Sequence, residues 1–215
     1  MKKRLIEIII IIFSIACGIL TKDLFLGSIL LSCGLLNAYY SSLGKVYNYV
    51  FGGLYCLLSA YVCYKNCLFG IFFLSLIIYF PLQIYGYFSW NNKKKDDGSV
   101  ELREFNLKTS IITVVSCVFG SLLLGFILSM IPNQQLAFLD ASSNILNLCA
   151  CILMLMRYRE CWIIWLFNNI FDLSIWIINV IKLSPNSFAM LIISIGYLIM
   201  NIYGYMKWKK IIKGE

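Results

Sequence analysis

TSIITVVSCVFGSLLLGFILSM, which occupies residues 109 to 130, contains no charged side chain. A helix needs about 20 consecutive apolar residues to cross a hydrocarbon core of about 30 Å, and this stretch supplies them. Similar apolar runs follow one another along most of the chain. The sequence therefore predicts an all-α membrane protein, built as a multi-span helical bundle.

The composition argues against a water-soluble domain. The chain is 61% hydrophobic and only 13% charged, whereas soluble domains carry about 25% charged residues. These few charges cluster in short segments and leave too little polar sequence to cover an outer face. The net charge of +8 would suggest nucleic acid as the partner of a soluble protein. Here the basic residues stand at the ends of apolar runs, so the expected partner is membrane lipid and not nucleic acid.

Eight transmembrane spans are predicted, of which the first is short and rich in isoleucine. The basic flank before this first span resembles a secretory signal peptide, but no A-x-A-like cleavage site follows it, and we interpret it as a helix. The predicted spans are Leu5–Leu20, Leu24–Ser42, Tyr47–Tyr64, Leu68–Trp90, Thr109–Met130, Ala137–Met156, Cys161–Ile181 and Ser187–Tyr205.

The distribution of basic residues predicts the orientation of these spans. With the N-terminus in the cytoplasm, only Lys22, Lys65 and Lys182 of the 18 lysines and arginines fall in outside loops. Cytoplasmic loops of membrane proteins carry an excess of Lys and Arg. We therefore expect a multi-pass protein of the bacterial plasma membrane, the cell inner membrane, with both termini and the polar loop 91–108 in the cytoplasm.

The cysteines, the lack of histidine and the missing catalytic motifs favour neither an enzyme nor a metal protein. The nine cysteines include no CxxC pair and the chain has no histidine, so no metal site is expected and the cysteines are interpreted as packing residues. HExxH, G-x-S-x-G and P-loop patterns are missing from the sequence, so neither catalysis nor direct ATP drive is expected. No cofactor is predicted.

An internal repeat links the two halves of the chain. QIYGYFSW at 83–90 and NIYGYMKW at 201–208 agree at five of eight positions, at a constant offset of 118 residues. The copies end spans that lie four apart and so run in the same direction, which makes the repeat parallel. Parallel repeats about an axis along the membrane normal occur in small transporters such as SWEETs, whose substrate lies near the midplane.

The repeat predicts a single membrane domain with a 3+1+3 core of SWEET-like architecture. Its parts are an extra N-terminal helix at 1–23, a first three-helix unit at 24–90, the cytoplasmic loop at 91–108, a linker helix at 109–130 and a second three-helix unit at 137–210.

Polar and aromatic residues within the spans predict a binding site. At 100° per residue, Trp162, Trp165, Asn169 and Asp172 occupy one helical stripe about 80° wide. Polar residues at lipid depth are costly unless they are paired or face a cavity. The other candidate substrate-binding residues stand on the repeated spans, and they are Gln83, Tyr87 and Asn201. Asp140, Asn144 and Asn147 also align on the sixth span.

Simpler explanations exist for several of these residues. An Asn or Gln often joins two helices without any ligand. Trp90 and Trp208 stand beside lysines at helix ends, which favours the interfacial aromatic belt. Gly86 and Gly204 favour close helix packing, and Pro81 should interrupt the fourth span.

The run ECWIIWLFNN at 160–169 fits a W-x-x-W-x-x-x-N pattern. Together with QIYGY at 83–87 and NIYGY at 201–205, it resembles the PnuC family of nicotinamide riboside transporters over about residues 24–210. The resemblance implies a 3+1+3 core and facilitated diffusion of nicotinamide riboside, trapped inside by phosphorylation. It also implies that Trp162, Trp165 and Asn169 line the substrate site, with Gln83 and Asn201 opposite.

The chemistry of these side chains suits a cationic vitamin. Nicotinamide riboside carries a pyridinium ring, a carboxamide and a ribose, which aromatic faces and amides can bind. Thiamine also carries a cationic ring, so transport of thiamine or another cofactor precursor is the alternative. A receptor with a buried ligand, coupling to H⁺ or Na⁺ through Asp140, Asp172 or Glu7, and assembly as a homotrimer also stay open.

Overall fold

The structure is a computed structural model that describes residues 2–20, 25–65, 74–96, 99–130, 132, 136–182 and 187–214. The chain divides into two compact units, Met1–Glu101 and Leu102–Glu215. Each unit consists of helices that are adjacent in the sequence and pack against their neighbours.

Among its described residues, the first unit has four α-helices with assigned bounds. Their bounds are α1 Lys2–Leu20, α2 Leu26–Ser42, α3 Tyr47–Lys65 and α4 Phe80–Asn91. Helix α1 packs on α2, α2 packs on α3, and α3 packs on α4 and on the π-helical segment Ser75–Tyr79 that leads into α4. Tyr40 of α2 donates a hydrogen bond to Glu7 of α1 at 3.0 Å, which links these two helices.

The part of the second unit that the structure describes also has four α-helices, each packed on the next. Their bounds are α5 Leu107–Ser129, α6 Ala137–Leu155, α7 Cys161–Ile181 and α8 Ser187–Lys213. Helix α5 begins where the side chain of Asn106 accepts a hydrogen bond from the backbone N–H of Thr109 at 2.8 Å. This N-cap satisfies a donor that the first helical turn would otherwise leave unpaired.

The structure has a helix at each of the eight predicted positions. The predicted starts at Leu24 and Leu68 lie outside the described residues. Helix α8 continues to Lys213, beyond its predicted end at Tyr205, because lysines end an apolar span without disfavouring a helix. Within the described ranges, α5, α6 and α7 are each long and apolar enough to cross a membrane, and Leu5–Leu20 forms a shorter apolar helix.

The burial pattern is the inverse of that in a water-soluble domain. Large apolar side chains such as Phe119 and Leu122 of α5 are more than half exposed, whereas Asn48, Asn169 and Asn201 are buried. Lipid accepts apolar side chains as readily as a protein core does, so polar groups are the ones that need internal partners. The outer surface is therefore suited to hydrocarbon.

Two turns between helices are a second feature that recurs in both halves of the chain. Gly44 follows α2 with a φ of 63°, and Arg157 follows α6 with a φ of 68°, both in the left-handed region. The carbonyl of Gly44 accepts from Val100 N–H at 3.0 Å within the first unit, and the carbonyl of Arg157 accepts from Arg103 N–H at 2.8 Å within the second. These turns are 113 residues apart, so the repeat does not keep the offset of 118 seen at the helix ends.

Candidate functional site

The predicted stripe on α7 lies at its junctions with α6 and α8. Trp162 and Asn169 are almost fully buried, with 1% and 3% of their surfaces exposed. The indole N–H of Trp165 donates to Oδ1 of Asn147 on α6 at 3.1 Å. The stripe is thus turned toward neighbouring helices of the second unit and away from lipid.

A buried pair of amides joins α7 to α8. Nδ2 of Asn201 donates to Oδ1 of Asn169 at 2.5 Å. Nδ2 of Asn169 lies 3.5 Å from the carbonyl oxygen of Ser194, at the long limit for a hydrogen bond. The Asn169 amide therefore has a weakly engaged donor that a ligand acceptor can recruit.

Asp172 lies one helical turn beyond this pair and is held by neutral donors. Ser143 of α6 donates to its Oδ1 at 2.5 Å, and Asn168 donates to its Oδ2 at 2.9 Å. In the described part of the chain, no Lys or Arg forms an ion pair with Asp172. A partly buried carboxyl group that is held by neutral donors can contact a cationic ligand.

Trp162 is enclosed by aromatic rings and a glycine. Its ring centroid is 5.4 Å from that of Trp165 and 5.7 Å from that of Trp208, with interplanar angles of 61° and 83°. The backbone of Gly204 on α8 lies directly against its six-membered ring. The buried indole N–H of Trp162 has no hydrogen-bond partner in the described ranges.

The first unit repeats this arrangement with a tyrosine. The backbone of Gly86 on α4 lies against the ring of Tyr49 on α3, and Trp90 meets that ring edge-on at 5.0 Å and 89°. Tyr49 precedes Trp162 by 113 residues, the offset found at the two turns. The close-packing roles expected for Gly86 and Gly204 are confirmed.

The placement expected for Trp90 and Trp208 in the interfacial belt is wrong. Both side chains are fully buried, with no surface exposed. A glycine one turn earlier in each helix lets the neighbouring helix approach, and the indole then packs on that helix's aromatic ring. Position beside a lysine indicates depth in the membrane, but not which way a side chain faces.

Gln83 and Tyr87 lie in the first unit, along an open apolar groove of about 370 Å³ between α3 and α4. Oε1 of Gln83 is buried without a hydrogen-bond partner in the part of the chain described, and it lies close to Gly52. The groove is lined by Tyr49, Val50, Gly53, Leu54, Leu57, Phe80, Gln83, Ile84, Tyr87 and Phe88.

The structure thus brings Trp162 beside Trp165 and Asn169 beside Asn201, both pairs within the second unit, with Asp172 one turn beyond Asn169 on α7. The sequence prediction missed Ser143 and Asn168 as partners of Asp172. Asn168 could have been recognised by its spacing, because it stands four residues before Asp172 and such pairs meet on a helix. Ser143 could not, because only the packing of α6 on α7 decides which residue faces Asp172.

Comparison with known proteins places the chain among vitamin transporters. A family model described as "Nicotinamide mononucleotide transporter" matches residues 24–210. A Haemophilus influenzae protein named nicotinamide riboside transporter PnuC is 31% identical, over 94% of this chain and 87% of its own length. A Neisseria mucosa protein of the same name is 28% identical, over 91% of this chain and 76% of its own.

A solved structure agrees with these relatives. The crystal structure of a vitamin B3 transporter PnuC matches the structure of this chain with a TM-score of 0.80 and 26% sequence identity. The match covers 96% of this chain and 90% of the other. The likeness therefore extends over both units and is not confined to one.

Proposed function

Because this chain belongs to the nicotinamide mononucleotide transporter family, in which its relatives are named PnuC, we propose that it carries nicotinamide riboside across a bacterial membrane. The observation that carries the proposal is a set of inward-facing amides and indoles: Trp162, Asn169 and Asn201 are buried, and Trp165 bonds to Asn147. Within an apolar span an unpaired polar atom is costly, so such groups are expected to have partners or a ligand.

The second unit supplies the groups that this substrate needs. Indole faces attract a pyridinium ring by about 0.5–2 kcal/mol. The Asn169 and Asn201 amides can donate to and accept from the carboxamide and the ribose hydroxyls. The N–H of Trp162, which lacks an acceptor in the residues described, is suited to the carboxamide oxygen. Gln83 and Tyr87, which lie along the groove of the first unit, stay predicted substrate contacts.

The family description names nicotinamide mononucleotide, whereas the relatives are named for nicotinamide riboside, which lacks the phosphate of the mononucleotide. The residues of this chain favour the riboside. A phosphate monoester is normally bound by Arg or Lys through charge-assisted hydrogen bonds. Asp172 instead places a carboxylate beside the cluster, which attracts the cationic ring and repels a phosphate. Arg159, which stands just before α7, already pairs with Glu104 and Glu160.

We propose uncoupled transport in a 3+1+3 helix arrangement, with both termini in the cytoplasm. The sequence has no P-loop for direct use of ATP. Facilitated diffusion then accumulates the vitamin only if phosphorylation inside the cell removes it from the equilibrium. The parallel repeat supports the arrangement of helices, and the distribution of lysines supports the orientation.

Uptake by proteoliposomes tests the proposal. We expect purified protein to equilibrate radiolabelled nicotinamide riboside without an ion gradient, and to show counterflow when the vesicles are preloaded with unlabelled riboside. Nicotinamide mononucleotide and thiamine serve as competitors and should displace little label. Robust thiamine uptake without riboside uptake would show that thiamine, and not nicotinamide riboside, is the substrate. Binding without counterflow would indicate a receptor.

A further inference from the structure

We infer that Gly204 and Trp208 of α8 are positioning residues, which fix the indole of Trp162 at the angle from which it faces the substrate. This inference rests on the function proposed above, because it takes Trp162 as a substrate contact. Neither Gly204 nor Trp208 needs to touch the substrate. Both act through the ring that they hold.

Gly204 provides the surface on which the Trp162 ring lies. A Cβ at this position would stand 2.5 Å from Cζ3 and 2.6 Å from Cε3 of Trp162, closer than real Cβ atoms approach any carbon. The backbone of α8 at Gly204 is therefore in direct contact with the six-membered ring, nearest to its Cζ3, Cε3 and Cη2 atoms. Any side chain at Gly204 must displace the indole.

Trp208 and Trp165 decide in which direction a displaced ring can go. Trp208 is fully buried and meets Trp162 edge-on at 5.7 Å, so it blocks movement toward the end of α8. Trp165 is a second neighbour of the ring, at 5.4 Å, and is itself bonded to Asn147. A ring pushed away from Gly204 must therefore shift against these neighbours, and Trp165 belongs to the same proposed site.

The comparison with Gly125 shows why this contact is special. A Cβ at Gly125 of α5 would also collide with an aromatic ring, that of Phe138 on α6. Phe138, however, is 50% exposed and can turn outward into lipid, whereas Trp162 is 1% exposed and has no free direction. An alanine at Gly125 thus meets the movable ring of Phe138, whereas an alanine at Gly204 meets the fixed ring of Trp162.

The first unit supports the inference independently of the substrate. Gly86, Tyr49 and Trp90 form the same set of contacts, with a glycine under the ring and a tryptophan edge-on to it. In both units, the glycine and the tryptophan of the repeated Tyr-Gly-Tyr-x-x-Trp sequence therefore pack against an aromatic ring of the neighbouring helix and hold it in place. In the second unit the held ring is a tryptophan of the proposed site.

Binding measurements with matched variants test this role. We expect Gly204→Ala to raise the Kd for nicotinamide riboside by about tenfold or more, while Gly125→Ala leaves it unchanged. Trp208→Ala should weaken binding by a similar factor, and Trp208→Phe should restore most of the affinity because it keeps an aromatic edge against Trp162. Equal binding by Gly204→Ala and the parent would overturn the inference.

A double-mutant cycle separates positioning from general destabilisation. If Gly204 acts through Trp162, adding Gly204→Ala to a Trp162→Phe variant should change the Kd by less than about twofold, since the smaller ring leaves room for the methyl group. If the two substitutions instead change the Kd by independent factors that multiply in the double variant, the inference is contradicted.

The near-ultraviolet circular dichroism of the tryptophans provides a readout without substrate. Gly204→Ala should alter this spectrum, and Gly125→Ala should not. An unaltered spectrum for Gly204→Ala would overturn the positioning role even in a protein that binds the riboside. A parent protein that binds no riboside but shows the expected spectral change would refute the proposed function alone.

Discussion

Asn169 shows how a single residue connects the membrane, the fold and the proposed substrate. An amide within a span needs a partner, and here Asn201 supplies a close donor while the contact with Ser194 is long. Burying the hydrogen-bonded pair costs little free energy, because each amide satisfies part of the hydrogen-bonding capacity of the other. A ligand that offers both a donor and an acceptor can replace these partners without leaving a buried polar atom unpaired.

The first residue-scale prediction concerns the W-x-x-W-x-x-x-N stripe. Trp165→Ala and Asn169→Ala should each abolish measurable riboside uptake, because one removes a ring for the cation and the other an amide for its polar groups. Uptake is measured in proteoliposomes at equal protein content, with folding checked by size-exclusion chromatography.

Ser174→Ala is the control for this pair. Ser174 stands on the same helix, and its hydroxyl donates only to the backbone carbonyl of Ile170. It should transport like the parent. If Trp165→Ala and Asn169→Ala also transport normally, the assignment of the site to this stripe is wrong.

Among the elements, α4 departs from regular geometry where the sequence predicts it. Pro81 has no N–H to offer the carbonyl of Ile77, and the five residues before α4, Ser75–Tyr79, form a π-helical segment. The N–H of Phe80 bonds to the carbonyl of Ser75, one residue further back than in an α-helix. Such π-helical turns are frequent at functional sites, and this one lies one turn before Gln83.

The element-scale prediction is that Pro81→Ala slows transport while stabilising the protein. A restored N–H allows regular α-helical bonding through the segment, worth up to about 3 kcal/mol for an interior proline. The initial rate of riboside uptake should fall severalfold and the melting temperature in detergent should rise.

Pro132→Ala provides the comparison for this change. Pro132 lies in the connection between α5 and α6 and interrupts no helix. It should alter neither the uptake rate nor the helical bonding. An uptake rate for Pro81→Ala equal to that of the parent would show that the irregular segment has no part in transport.

On the scale of the whole molecule, the chain divides into two units, and the described residues of each form four α-helices with assigned bounds. The extra N-terminal helix packs on α2 in the first unit, and α5 packs on α6 in the second. The 3+1+3 arrangement and the homotrimer stay predictions. The repeated ring-holding device and the repeated left-handed turns at Gly44 and Arg157 support a duplicated three-helix unit.

The whole-molecule prediction concerns orientation. Fusions of green fluorescent protein to either terminus should fluoresce, because this reporter folds only on the cytoplasmic side of the inner membrane. Alkaline phosphatase joined after Lys182 should be active, since that loop is predicted to lie outside. An active phosphatase at either terminus would contradict the assignment.

Much of this architecture could be predicted from the sequence because the responsible patterns are local. Apolar runs fix where spans begin and end, and the 3.6-residue period of a helix places Trp162, Trp165 and Asn169 on one face. The rarity of polar side chains at lipid depth marks that face as important. The helix positions, the interruption before Pro81 and the close packing at Gly86 and Gly204 all follow from such patterns.

Only the tertiary structure decided which side chains meet across helices. A sequence indicates the depth and face of a residue, but the rotation and spacing of neighbouring helices select its partner. For this reason Trp208 is buried against Trp162 and does not face the lipid, and Ser143 of α6 meets Asp172. The glycines that permit these approaches are visible in the sequence, whereas the rings they hold become known only once the helices are packed.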